Sequence, residues 1–157
     1  KVQYATPVVQ DGMVYFIEKK ATAVRIPKAL DEPFEQAWVS RIQGSRHYAS
    51  PVIHDGLIYA VSRKEMFSIL DAETGELLHK RQLDLGSGKN SAYPSITLAG
   101  DKVFVSVQNG TTAVLEQGRT YNEIERNKIG TFRGSPVFVG GQLFIRAFDH
   151  LYCFGSS

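Results

Sequence analysis

The sequence predicts an all-β fold of about four repeated, four-stranded antiparallel units, the last of them incomplete. Two observations carry this. An apolar phrase folded around a turn recurs four times, as YATPVVQDGMVYFI from Tyr4, YASPVIHDGLIYAV from Tyr48, YPSITLAGDKVFVSV from Tyr93 and RGSPVFVGGQLFIRA from Arg133. Tyr4 to Tyr48 is 44 positions, Tyr48 to Tyr93 is 45 and Tyr93 to Arg133 is 40, a period in the range of β-propeller blades. Helical spacing, in contrast, is nearly absent. Only PKALDEPFEQAW approaches it, and Pro33 interrupts that stretch.

The units run approximately over residues 4–47, 48–92, 93–132 and 133–157 of one propeller region covering 1–157. In the second, Pro51 to Ile53, the turn His54-Asp55-Gly56 and Leu57 to Val61 read as an inner hairpin, because glycine supplies the positive φ a tight turn demands. After Ser62 to Glu65 come MFSIL, the polar corner DAETGE and LLHKRQL, which add two more strands. Pro7, Gly12, Pro51, Gly56, Asp71, Gly75 and Pro136 hold the matching turn, corner and packing positions. Aligned tyrosines and Ser/Thr-Pro steps are explained by blade packing. The fourth unit has only SPVFVGG, QLFIRA and HLYCFG, so it holds three strands. Just Lys1-Val2-Gln3 precede Tyr4, too little to supply the missing outer strand. An unpaired edge and two uncovered blade faces are features natural β proteins avoid. The expectation is therefore an open segment, part of a larger ring or half of a ring made by two copies, with a small closed four-bladed ring as the minor alternative.

Composition bounds the function. Eighteen Lys and Arg against sixteen Asp and Glu leave a net charge of +2, a weak balance for binding nucleic acid, and no aromatic stacking platform is apparent among the basic loops. No apolar run approaches the ~20 residues of a membrane helix. The chain starts at Lys1 without a leader, which implies processing or excision from something longer. The lone Cys153 excludes an internal disulfide framework and a cysteine zinc cluster.

Catalytic patterns are missing. GSGKNS from Gly86 lacks the first glycine of a phosphate loop, which would fall at Leu83, and has Asn90 where Ser or Thr should follow Lys89. His47, His54, His79 and His150 are scattered without metal-ligand spacing, so no metal site is expected. No Gly-x-Ser-x-Gly elbow occurs. The Asn109-Gly110-Thr111 sequon is read as a hairpin turn.

SPVIHDGLIYAV followed by LDAETGEL, Leu70 to Leu77, resembles the blade repeat of pyrroloquinoline-quinone-like (PQQ-like) β-propellers, and the resemblance covers almost the whole chain. It departs at the corners: RIPKALDEP stands for Asp-Ala-x-Thr-Gly in the first unit and LEQGRT in the third. The family's outer-strand tryptophan, which docks on a neighbouring blade, is matched by Trp38, whereas His79 and Glu125 take its place in the next two units. The resemblance implies a ring of seven or eight blades, of which this is about half, in a bacterial, periplasmic or secreted setting. It also offers an enzymatic alternative, the C-terminal half of a quinoprotein oxidoreductase. That reading needs a catalytic carboxylate, calcium ligands and planar groups around PQQ. No residue here is assigned such a role, so no catalytic residue and no cofactor is expected of this chain itself.

Function must rest on a site rather than on the fold. In four-stranded blades the loops alternate ends, so second-to-third strand turns and inter-blade connections share one end. That end collects Lys19, Lys20, Arg46, His47, Arg63, Lys64, Lys89 and Arg133, with Arg146 and His150, against Glu18, Glu65 and Asp149. The other end collects Asp11, Asp31, Glu32, Asp55, Asp71, Glu73, Glu76, Asp101 and Glu116 against Lys28, Lys102 and Arg119. A basic end attracts an anionic ligand or an acidic partner surface. The expected function is a non-catalytic binding or scaffolding module, partnered by a protein or by the remaining propeller blades.

Overall fold

The computed structural model describes residues 4–42, 45–86 and 92–155. Among these residues fifteen strands form four antiparallel sheets. The first holds β1 (Val8–Gln10), β2 (Met13–Ile17), β3 (Ala21–Arg25) and β4 (Glu35–Ser40). The second holds β5 (Val52–His54), β6 (Leu57–Val61), β7 (Met66–Asp71) and β8 (Leu77–Gln82). The third holds β9 (Thr97–Ala99), β10 (Lys102–Ser106), β11 (Thr111–Glu116) and β12 (Glu123–Lys128). The fourth holds β13 (Val137–Val139), β14 (Gln142–Arg146) and β15 (Leu151–Phe154), so it is one strand short, as expected.

Each sheet is a meander because its turns can only join neighbours. Asp11-Gly12 and Asp55-Gly56 both have positive φ, at 50° and 73° and at 47° and 70°, the pairing that matches a two-residue turn to the twist of its strands. PKALDEPFEQAW, the one helix-like stretch, ends in β4 after two prolines; no helix occurs among the described residues. A register shift recurs between the third and fourth strands of the complete sheets, at Ala23/Val24, Ile69/Leu70 and Val114/Leu115. It places Trp38 opposite Ala23, His79 opposite Ile69 and Glu125 opposite Val114, three equivalent positions with three different side chains.

The core lies between sheets. Alternation sends Tyr15, Ile17, Ala21 and Ala23 of the first sheet against Ile58, Ala60 and Leu70 of the second. Leu57, Tyr59, Val61, Phe67 and Ile69 then meet Val103, Val105 and Leu115 of the third. Phe104 touches Phe138 of the fourth, ring centroids 4.7 Å apart. The arc stays open. Val9 and Val39 on the outward face of the first sheet, and Val137, Val139 and Leu151 on that of the fourth, are exposed valine and leucine side chains with no sheet beyond them among the described residues.

Candidate functional site

Hydrogen bonds sort the loops into two ends. At one, turns between second and third strands are tied to inter-blade connections. Arg63 N donates to Arg46 O at 2.8 Å, Leu83 N to Glu65 O at 3.0 Å, and Phe132 N to Gln108 O at 3.1 Å. Buried Glu65 also accepts from Leu85 N at 2.6 Å, and Asn109 Nδ2 donates to Leu85 O at 2.9 Å. At the other end, inner turns are tied to outer corners, through Ile26 N to Gly12 O and Ala72 N to Gly56 O, both 2.8 Å, and Gln117 N to Asp101 O at 3.2 Å.

The first end carries the basic residues. Lys19, Lys20, Arg46, Lys64 and Arg133 are exposed there, while Arg63 is half-buried. Lys89 lies outside the described residues. His47 departs from its expected role as part of a charged surface: only 2% of it is exposed. Burial pushes its pKa down to about 4, against the weaker opposing pull of the Glu18 carboxylate and a hydrogen bond to the Glu18 backbone. It is therefore neutral at pH 7 and belongs to the packing. A charged imidazole there would lose its hydration without a sufficient partner.

The structure also brings together an aromatic row beside these loops, which the sequence did not reveal. The residues that open the units come together just before the innermost strands. The rings of Tyr4 and Tyr48 meet edge to face at 4.9 Å, and those of Tyr48 and Tyr93 stack at 5.1 Å with planes 7° apart. The Arg133 guanidinium lies 4.6 Å from the centre of the Tyr93 ring and 5.9 Å from that of Phe148. At the opposite end of the row the Arg46 guanidinium lies 5.8 Å from the Tyr4 ring centre, and its Nη1 donates to the Tyr4 hydroxyl at 3.5 Å. Two residues along the chain a second row runs in parallel. Thr6 N donates to Ser50 Oγ at 3.0 Å, Ser50 N to Ser95 Oγ at 3.2 Å and Ser95 N to Ser135 Oγ at 3.0 Å. The Ser/Thr steps therefore lace the inner strands together and hold the aromatic row in place.

The residues read as structural sit in turns, corners and sheet contacts. The Trp38 ring packs on Gly75, where an added Cβ would come within 2.5 Å of it, and its Nε1 donates to Ala72 O at 3.0 Å. Asp71 Oδ1 accepts from Glu73 N, Thr74 N and Thr74 Oγ1 at 3.1, 3.0 and 3.1 Å, and these bonds hold its carboxyl below the usual range. Pro51 and Pro136 are buried, with Pro136 O accepting from Thr97 Oγ1 at 3.3 Å, whereas Pro7 is exposed. Gly12 and Gly56 occupy the hairpin turns.

Among the described residues no three His, Cys, Asp or Glu side chains gather as a metal site. Calcium at a quinone cofactor needs several converging oxygen ligands. The described carboxylates do not provide them, and the indole of Trp38 is already packed against Gly75. These residues do not fit PQQ with calcium.

An open arc of meander sheets in tandem, three of four strands and one of three, with loops converging at two ends, defines a segment of a β-propeller. Residues 2–157 match the family described as outer membrane protein assembly factor BamB, and the chain belongs to that family. No curated protein sequence matches it. Among solved structures, BamB from Moraxella catarrhalis is similar with a TM-score of 0.69 at 15% identity, over 91% of this chain and 42% of that one. A quinohemoprotein alcohol dehydrogenase, ADHIIG from Pseudomonas putida HK5, is similar with a TM-score of 0.71 at 14% identity, over 90% of this chain and 28% of that one. The computationally designed Ika4 protein is similar with a TM-score of 0.66 at 10% identity, over 99% of this chain and 94% of that one. At these identities the likeness concerns the fold. The chain spans less than half the length of the two natural proteins.

Proposed function

We propose that this chain is a non-catalytic binding and scaffolding propeller segment, and that its basic end receives an anionic ligand or an acidic protein surface. The observation that carries the reading is the clustering of exposed Lys19, Lys20, Arg46, Lys64 and Arg133 on loops stapled to one another at one end. Fixed charges on a rigid rim steer and orient an oppositely charged partner at little cost in ordering. Membership in a family described by outer membrane protein assembly supports a protein partner and an extracytoplasmic bacterial setting. The remaining blades, supplied by further chain or by a second copy, cover the exposed faces of the first and fourth sheets. Light scattering on this segment distinguishes the two, since only the second gives twice the chain mass.

Binding of fluorescein-labelled hexaglutamate, followed by anisotropy, tests the reading. Replacing Arg46, Lys64 and Arg133 together by Ala should abolish it, and unchanged affinity would sink the proposal. The quinoprotein alternative makes a different demand. Stoichiometric uptake of PQQ with calcium by the intact protein, seen by absorbance and calorimetry, would replace the scaffold reading with an oxidoreductase.

A further inference from the structure

The faces of Tyr48 and Tyr93 lie against each other, and the face of Tyr93 also meets Arg133. The stacked faces of Tyr48 and Tyr93 are closed to a ligand, so the row offers mainly ring edges, hydroxyls and the guanidinium groups at its two ends. A ring edge carries the positive side of the aromatic quadrupole. A guanidinium stacked on a ring keeps its in-plane N–H fork, which matches a carboxylate in shape. Among the described residues neither Arg46 nor Arg133 makes an ion pair with a carboxylate, and Arg46 Nη1 makes a long hydrogen bond, 3.5 Å, to the Tyr4 hydroxyl. The nearby acids have other engagements: Asp149 pairs with His150 at 3.0 Å, and Glu18 Oε1 accepts from Tyr4 N at 3.3 Å. Exposed Phe148 adds an apolar surface beyond Arg133.

We infer that the row Arg46–Tyr4–Tyr48–Tyr93–Arg133 is a binding site for an extended acidic peptide segment, its carboxylates on the two arginines and its backbone along the tyrosine edges. This inference rests on the proposed basic-end function and names its ligand. Tyrosine and arginine are enriched in binding hot spots: tyrosine gives a large, rigid, amphipathic contact with few rotatable bonds to fix, and arginine a planar fork of donors. Here the rigidity is built in by the Ser/Thr row beneath. A single-stranded nucleic acid fits less well. Its bases bind by stacking on free aromatic faces, and the faces of Tyr48 and Tyr93 are turned to each other.

The test uses the intact protein with two fluorescein-labelled probes, an eight-residue peptide alternating Glu and Val and a six-thymidine oligonucleotide, read by anisotropy. Arg46→Lys and Arg133→Lys keep every charge but lose the planar fork, and each should weaken the peptide about tenfold. Tyr48→Phe keeps the stack, and an unchanged thermal midpoint in that variant would confirm an intact fold; it should weaken the peptide severalfold. If the peptide binds but the lysine variants match wild type, the row is overturned while the basic-end reading stands. If hexaglutamate also fails to bind wild type, both fall. Tighter binding of the oligonucleotide than of the peptide overturns the choice of ligand.

Discussion

The junction between the first and second sheets and that between the third and fourth are built on the same register but filled differently. In the first, the large ring of Trp38 crosses from β4 to lie on Gly75, and Tyr15 packs beside it with ring centroids 6.0 Å apart. In the last, the equivalent position on β12 is exposed Glu125. There a cavity of about 430 Å³ opens between Phe104, Thr112 and Val114 on one side and Leu143, Ile145 and Phe154 on the other. The middle junction solves the problem from the opposite direction. Tyr121, from the corner of the third sheet, stacks on His79 at 6.1 Å, meets Phe67 edge to face, and lies beneath the Arg81 guanidinium at 4.5 Å. At the first junction the closing ring comes from the earlier blade and at the middle one from the later blade. A backbone repeat fixes where a gap will be, but a side chain must close it.

Trp38→Ala should have the largest effect of the substitutions that break this contrast, about 3–5 kcal/mol of stability, because the cavity it leaves is bounded by strands that cannot collapse. Urea denaturation would measure it. A loss below about 1 kcal/mol would mean that the first junction does not depend on its ring.

At the basic end, where His47 is buried, the lever is pH. Its folded pKa of about 4 lies below its ordinary value of 6.5, so the unfolded chain binds the proton more readily. Stability should fall as pH drops from about 6.5 toward 4, by as much as about 3 kcal/mol. Carboxyls held low in the fold, such as Asp71 and Glu123, add losses in the same direction at lower pH. His47→Gln should flatten the part of the profile above pH 4. An equally steep profile in that variant would assign the pH dependence elsewhere.

Gly75→Ala and Gly12→Ala separate contact from conformation. Both glycines have positive φ, 75° and 73°, but only at Gly75 does the new Cβ meet the Trp38 ring, at 2.5 Å. Gly12→Ala should cost about 1 kcal/mol for backbone strain alone. Gly75→Ala should cost more by about 1–3 kcal/mol, since the indole must shift. Equal thermal midpoints for the two variants would remove Gly75 from the docking contact.

The smallest effect should come from filling the last junction. Val114→Ile adds a methyl beside the cavity and should gain about 0.5–1 kcal/mol. A loss in thermal denaturation would show that the space is already occupied.

Much of this was readable from the chain. The recurrence of Ser/Thr-Pro steps, Asp-Gly turns and Tyr-headed phrases set the blades, and Trp38 with Gly75 fell on the docking positions. The tyrosine row was missed although its members open the quoted repeats, since Tyr4, Tyr48 and Tyr93 lie 44 and 45 positions apart and touch only after three inner strands are laced side by side. Tyr121 gave no warning because the third unit lacks the usual corner, so nothing in its spacing aims the ring backward. His47 was counted as surface because residue type and loop position suggested exposure.

What the sequence by itself determined is local and periodic: strand alternation, glycine at positive φ, the hairpin phrase that repeats with each blade, and the sign of charge carried by each set of loops. These follow from backbone sterics and side-chain chemistry that act over a few residues. Only the tertiary structure decided which basic residues face solvent and which is buried and neutral, which junction is filled and from which side, and that separate tyrosines and arginines form one row. Those outcomes depend on distances between residues far apart in the chain, set by how whole blades pack and not by any local preference.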